Sequence, residues 1–263
     1  MKKPIIYIAA INDLKTQSKN ISQDNIKKID DINKISFNSE NIKIDKVFNI
    51  REKDINLLKD NLLEEDLEYL KKYSNQNAYF LSLTGRFLIR KILKNNFPNN
   101  SNDLHISVLE NGKPYIKNYQ DKDININISH SKELVTAIVY NKKCGIDIQV
   151  VSSYKKEIAE RYFHKKEKDH INRINNNTSI NQINNKLVND NYNKDLEFTQ
   201  IWSYKEAFIK MEGENLTKKT KNFYLDNNNM FIFENKINNN IIIKSELIDY
   251  NNEKYFLSFC INN

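Results

Sequence analysis

Only four glycines occur in this chain of 263 residues, against an ordinary share of about 7%. Glycine is what a backbone uses where a Cβ would collide or where φ must turn positive. A chain this poor in it has few places for tight turns or close backbone approaches. Gly85, Gly112, Gly145 and Gly213 therefore mark positions where a Cβ is unwelcome, and the segments around them frame the fold.

The segment around Gly145, "CGIDIQV" (144–150), alternates Ile146, Ile148 and Val150 with Gly145, Asp147 and Gln149. Period-2 alternation predicts a strand with one apolar and one polar face. A solvated outer face would account for Asp147 and Gln149; so would a site they share with residues elsewhere in the chain.

Other stretches read as follows. "MKKPIIYIAAIND" opens with two lysines before an apolar run that ends at Asn12 and Asp13. The run is too short for a membrane helix and has no small-residue cleavage site beyond it, so a first strand is expected and no leader peptide. "DINLLKDNLLEEDLEYLKKY" (54–73) repeats Leu at helical spacing, and "NAYFLSLTGRFLIRKIL" (77–93) is a second helix with Arg86 and Arg90 four apart. "LHISVLENGKPYI" (104–116) reads as strand, Asn-Gly turn and strand. "INISHSKELVTAIVYNKKCGIDIQV" (126–150) reads as two strands turning near 141–143, and "YKKEIAERYFHKKEKDHI" (154–171) as a helix. Residues 172–195 hold ten Asn in 24 positions and predict a low-complexity insertion. "FTQIWSYKEAFIKMEG" (198–213) is helical, and strands follow at 223–234, 240–249 and 254–261. This order predicts an α+β fold with antiparallel sheet.

The net charge of +7 favours anionic partners, but basic residues are interleaved with acids along the whole chain, which argues against a nucleic-acid-binding face. Cys144 and Cys260 make no disulfide framework and no zinc spacing, so both are expected to be packed thiols. A soluble, cytoplasmic protein is expected.

The chemistry is expected around residues 202–210. Ile201, Tyr204, Phe208 and Met211 form a helical stripe for burial, while Trp202, Glu206 and Lys210 stand at i, i+4, i+8 on another face. A surface ion pair would account for Glu206 and Lys210, although the face also holds the chain's single Trp. Together Asp147 and Glu206 would offer the hard oxygens that Mg²⁺ takes while keeping waters for a phosphate, with Lys205 and Lys210 meeting the remaining phosphate charge.

"ENGKPYI", "INISHS", "GIDIQ", "RYFHKKE" and "WSYKEAFIKMEGENL" stand in the order seen in 4′-phosphopantetheinyl transferases, and the chain resembles the large, monomeric surfactin-synthetase-activating (Sfp-type) class over roughly residues 65–220. The resemblance implies two similar α+β halves, residues 1–141 and 142–263, related by a pseudo-twofold with the active site in the cleft between them. It implies transfer of 4′-phosphopantetheine from coenzyme A to a serine of an apo acyl or peptidyl carrier protein, leaving 3′,5′-ADP. A relative that binds coenzyme A or carrier protein without fast transfer is the alternative. Asp147, Gln149 and Glu206 match the metal positions, for Mg²⁺ or Mn²⁺, although Gln149 stands where the family usually has Glu. Glu167 matches an acidic residue near the serine, and either it or Glu206 would be the base, with Lys210 assisting. Lys113, Ser129, His130, Lys205 and Lys210 match contacts to coenzyme A. Ser82 fits a hydroxyl contact near the 3′-phosphate, where Leu81 replaces a common Arg and Lys71 or Lys72 would substitute.

Overall fold

The computed structural model describes residues 3–12, 36–37, 44–98, 103–117, 124–174, 190–213, 218–226 and 229–263. In chain order they form β1 (Ile5–Asn12), β2 (Ser36–Phe37), β3 (Lys46–Arg51), α1 (Ile55–Lys59), α2 (Glu64–Leu70), α3 (Gln76–Asn96), β4 (His105–Val108), β5 (Pro114–Lys117), β6 (Asn125–Ser131), β7 (Leu134–Tyr140) and β8 (Cys144–Val150). Then come α4 (Lys156–Tyr162), α5 (Lys165–Ile174), α6 (Asp190–Glu212), β9 (Phe223–Leu225), β10 (Phe231–Phe233), β11 (Lys236–Ile237), β12 (Ile241–Tyr250) and β13 (Glu253–Asn262). The fold is α+β. Two compact units divide the chain: residues 1–35 with 43–142, and residues 36–42 with 143–263.

The first unit is built on the sheet β3-β1-β7-β6. Its central strands read as near-continuous apolar runs, "IIYIAAI" and "LVTAIVY", because residues on both faces of each are buried. Helix α3 lies across this sheet, with its N-terminus capped by Asn75, whose Oδ1 accepts from the Ala78 amide at 2.9 Å. A Cβ on Gly85 would come within 2.6 Å of Ile128 Cγ2, so glycine here lets the helix lie close on β6. Gly112, with φ of 87°, turns the β4–β5 hairpin.

The second unit is built on the sheet β2-β12-β13-β8. The β12–β13 hairpin turns through Asn251 and Asn252, both at positive φ, as a two-residue turn matched to strand twist requires. Helix α6 packs across β8 and β13, and a small sheet, β11-β10-β9, joins an aromatic cluster in which Phe208, Phe223 and Phe231 have ring centroids 4.5–5.4 Å apart.

Several sequence expectations need correction. The helix expected over 54–73 is broken into α1 and α2, because Asp66 turns back to accept the Leu63 amide at 3.2 Å and starts a new helix. The helix expected over 154–171 is broken in the same way at His164, whose amide donates to Glu167 Oε2 at 2.7 Å. These are the reach-back halves of capping boxes, the first hidden because leucines recur at helical spacing across it. Residues 126–150 form three strands: β6 and β7 pair through the turn at Lys132, while β8 joins the other sheet, so 141–143 is a crossover and not a hairpin. The Asn-rich stretch is shorter than 172–195, since residues 172–174 end α5 and 190–195 begin α6; residues 175–189 lie outside the described residues. Both cysteines are buried thiols. Among the described residues no helix is long and apolar enough to cross a membrane.

Candidate functional site

The β8–α6 contact is set by Gly145. A Cβ on it would overlap the Ala207 carbonyl oxygen and the Met211 amide nitrogen, so only glycine lets the helix backbone rest on the strand. Alternation along β8 then puts Asp147 and Gln149 on the same, helix-facing side. The polar side of this strand is therefore pressed against α6 and is not a solvated outer face.

The close approach brings Lys210 Nζ to 2.7 Å from Asp147 Oδ1. Asp147 is buried and the Lys210 side chain is 28% exposed, so the pair opens at one edge. Glu206, one turn before Lys210, is half-buried. Burial raises its carboxyl pKa, the Asp147 carboxylate raises it further, and Lys210 works against both. Two carboxylates that repel one another across a single ammonium are what a divalent cation would relieve. Gln149 is half-buried two residues along the strand. Among the described residues no three His, Cys, Asp or Glu side chains converge as a metal cluster, so the contact offers two carboxylates and an amide.

Glu167 stands in a different arrangement. Its Oε2 takes the His164 amide at 2.7 Å and the Lys205 ammonium at 3.0 Å, while Oε1 takes the Tyr204 hydroxyl. Lys205 is 0% exposed and also donates to the carbonyls of Thr220 at 2.8 Å and Phe223 at 3.0 Å. An ammonium has three N–H donors, and all are used. Lys205, expected at the diphosphate, is therefore enclosed in the interior of the second unit, and only Lys210 of the two lysines reaches solvent. Burial pushes the Glu167 carboxyl up and the Lys205 ammonium down, and their mutual attraction opposes both shifts. Tyr204 escaped the sequence reading because it completes an apolar stripe. The usable signal was its hydroxyl, which needs a partner once buried. Glu167 and Tyr204 form part of the wall of a cavity of about 840 Å³, together with Lys166, His170 and Tyr224.

The first unit holds a second group of expected residues. Ser82 of α3 and His130 of β6 line a cavity of about 220 Å³ with Gly112 and Pro114, the neighbours of Lys113 in the β4–β5 turn. Its remaining polar wall, Tyr69, Tyr73 and Arg86, was not anticipated. Arg86 lies 3.8 Å from the Tyr69 ring centroid, and Lys72 also lies 3.8 Å from it. Ser129 is buried and, by strand alternation, faces away from this cavity while His130 faces into it. Arg86 and Arg90 are both buried against Asp66, at 2.5 Å and 2.6 Å, which ties α2 to α3.

Two family models match the chain: "4′-phosphopantetheinyl transferase superfamily" over residues 143–260 and "4′-phosphopantetheinyl transferase, N-terminal" over residues 48–143. Among curated proteins, the chain is 31% identical over 175 residues to 4′-phosphopantetheinyl transferase gsp of Aneurinibacillus migulanus, covering 66% of this chain and 65% of that one. It is 28% identical over 159 residues to 4′-phosphopantetheinyl transferase Sfp of Bacillus subtilis (strain 168), covering 60% and 63%. It is also 28% identical over 142 residues to 4′-phosphopantetheinyl transferase psf-1 of Bacillus pumilus, covering 54% of each. The chain thus spans 54–65% of the length of these three curated relatives. The segment carrying Asp147, Glu167, Glu206 and Lys210 falls inside the superfamily match, and the segment carrying Ser82, Lys113 and His130 inside the N-terminal match. The chain belongs to the 4′-phosphopantetheinyl transferase superfamily, in its Sfp-type class.

Proposed function

We propose that this chain transfers the 4′-phosphopantetheine moiety of coenzyme A to a serine of an apo acyl or peptidyl carrier protein, giving the holo carrier and 3′,5′-ADP. The observation that carries the reading is the Asp147–Lys210 ion pair with Glu206 one turn away on the same helix, where burial and the Asp147 carboxylate raise its carboxyl pKa.

In the reaction the serine oxygen bonds to the phosphorus that bears the pantetheine arm, and the bond from that phosphorus to the departing 3′,5′-ADP breaks. The serine proton must leave with a base in hydrogen-bond reach. Glu206 suits that role by position: it is half-buried one turn before Lys210, at the edge of the β8–α6 contact that reaches solvent. Glu167 suits it less, since both its oxygens are engaged in the interior. Lys210, open to solvent at one edge, would meet the diphosphate oxygens and stabilise charge on the leaving group. Asp147, Glu206 and the Gln149 amide oxygen would hold Mg²⁺ or Mn²⁺, which when bound neutralises charge on the diphosphate. Ser82, His130 and Lys113 are assigned to coenzyme A, with Lys72, stacked on Tyr69, as the nearby cation.

The test is intact-mass spectrometry of an apo carrier protein incubated with the chain, coenzyme A and Mg²⁺. The expected result is a gain of one phosphopantetheine, absent when the acceptor serine is replaced by Ala. No gain on either an acyl or a peptidyl carrier would overturn the reading.

A further inference from the structure

We infer that Glu167 is a positioning residue: with Tyr204 and Lys205 it pins the start of α5 to α6 and so fixes where Glu206 and Lys210 stand over Asp147. The inference rests on the transferase reading and adds to it a role for the interior of the second unit.

Each end of the connection is determinate. Glu167 is the third residue of α5 and accepts the His164 amide, so its carboxylate cannot turn away without uncapping the helix. Tyr204 and Lys205 are consecutive on α6, and Glu206 follows directly. Residues are spaced at 3.6 per turn, so fixing two adjacent side chains fixes the rotation of the third. The Lys205 ammonium is spread over Glu167 and the carbonyls of Thr220 and Phe223, which also ties the segment after α6 to this point.

The first unit contains the same device without the chemistry. Asp66 is the third residue of α2, accepts the Leu63 amide and grips Arg86 and Arg90 of the long helix α3. Where α3 approaches the sheet at Gly85, its neighbours are Ile128 and Val135, not a carboxylate and a lysine. A buried acid that caps a short helix and grips the long one is thus an architectural part of each unit. Only in the second does a reactive cluster adjoin it.

The experiment compares E167Q, K205M and the double variant E167Q/K205M in two readouts: transfer to an apo carrier, expressed per folded molecule, and the emission of Trp202. Trp202 is the chain's single Trp, lies on α6, and has its ring centroid 5.8 Å from that of Tyr162 on α4, so it reports α6 directly. Each single variant leaves one buried charge unpaired and should lower kcat by about 10²-fold, as small misplacements do, with the KM for coenzyme A changing less. Removing both charges leaves none unpaired. The double variant should then exceed E167Q by about 10-fold and bring Trp202 emission back toward wild type, a non-additive response expected of coupled residues. A catalytic base, once lost, is not restored by removing a second charge. A double variant no better than E167Q would therefore overturn the inference. So would unchanged Trp202 emission in all three, or a lowered melting temperature with kcat intact. If the wild-type chain transfers nothing, the transferase reading fails, and the Trp202 pattern still decides whether Glu167 and Lys205 set the position of α6.

Discussion

Both units lay one long helix across a four-stranded sheet and anchor it through a buried acid on the preceding short helix, yet they differ in what the long helix meets. In the first unit the anchor is Asp66 between two arginines, and the sheet beneath Gly85 presents Ile128 and Val135. In the second the anchor is Glu167 with Lys205 and Tyr204, and the glycine has moved to the strand, where Gly145 admits the α6 backbone itself. That closer contact sets Asp147 under Lys210 with Glu206 one turn away. The anchor is thus common to both units, and what differs is the set of polar residues, Asp147, Glu206 and Lys210, at the point of closest approach in the second.

The largest effect should fall on the first unit's anchor. Asp66→Ala leaves Arg86 and Arg90 buried without their carboxylate, and removing one partner of a buried ion pair costs about 3–5 kcal/mol. Against a total stability of about 5–15 kcal/mol, urea denaturation followed by circular dichroism should show a large drop in midpoint. A change under about 1 kcal/mol, typical of surface pairs, would mean that the two units are not anchored alike. In the second unit the proposed reactive cluster should respond in rate more than in stability. Glu206→Ala and Asp147→Ala should each lower transfer by at least about 10²-fold, the scale of lost charge stabilisation, with the circular dichroism spectrum retained. Near wild-type turnover in either would place the chemistry elsewhere.

Much of this was legible in the sequence because it depends on local spacing. The scarcity of glycine pointed to Gly85 and Gly145 as contact points, period-2 alternation put Asp147 and Gln149 on one face, and the i, i+4 relation joined Glu206 to Lys210. What escaped depends on partners distant in the chain. Lys205 reads like any helix lysine until Thr220, Phe223 and Glu167 are seen around it. The breaks at Leu63 and His164 are made by side chains three residues later, while the leucine pattern runs on across the first of them. The change of sheet between β7 and β8 left no mark, since a tight turn and a short crossover carry the same polar residues.

Whether the second unit's β8–α6 contact is the reactive centre is tested most directly by metal binding. Mn²⁺ is titrated into the wild-type chain, Asp147→Ala and Glu206→Ala, and the free ion is followed by electron paramagnetic resonance. The wild type should show one saturable site, weakened by at least about 10-fold in each variant, the lower end of what even outer-sphere partners of a metal contribute. Equal Mn²⁺ affinity in all three proteins would contradict it.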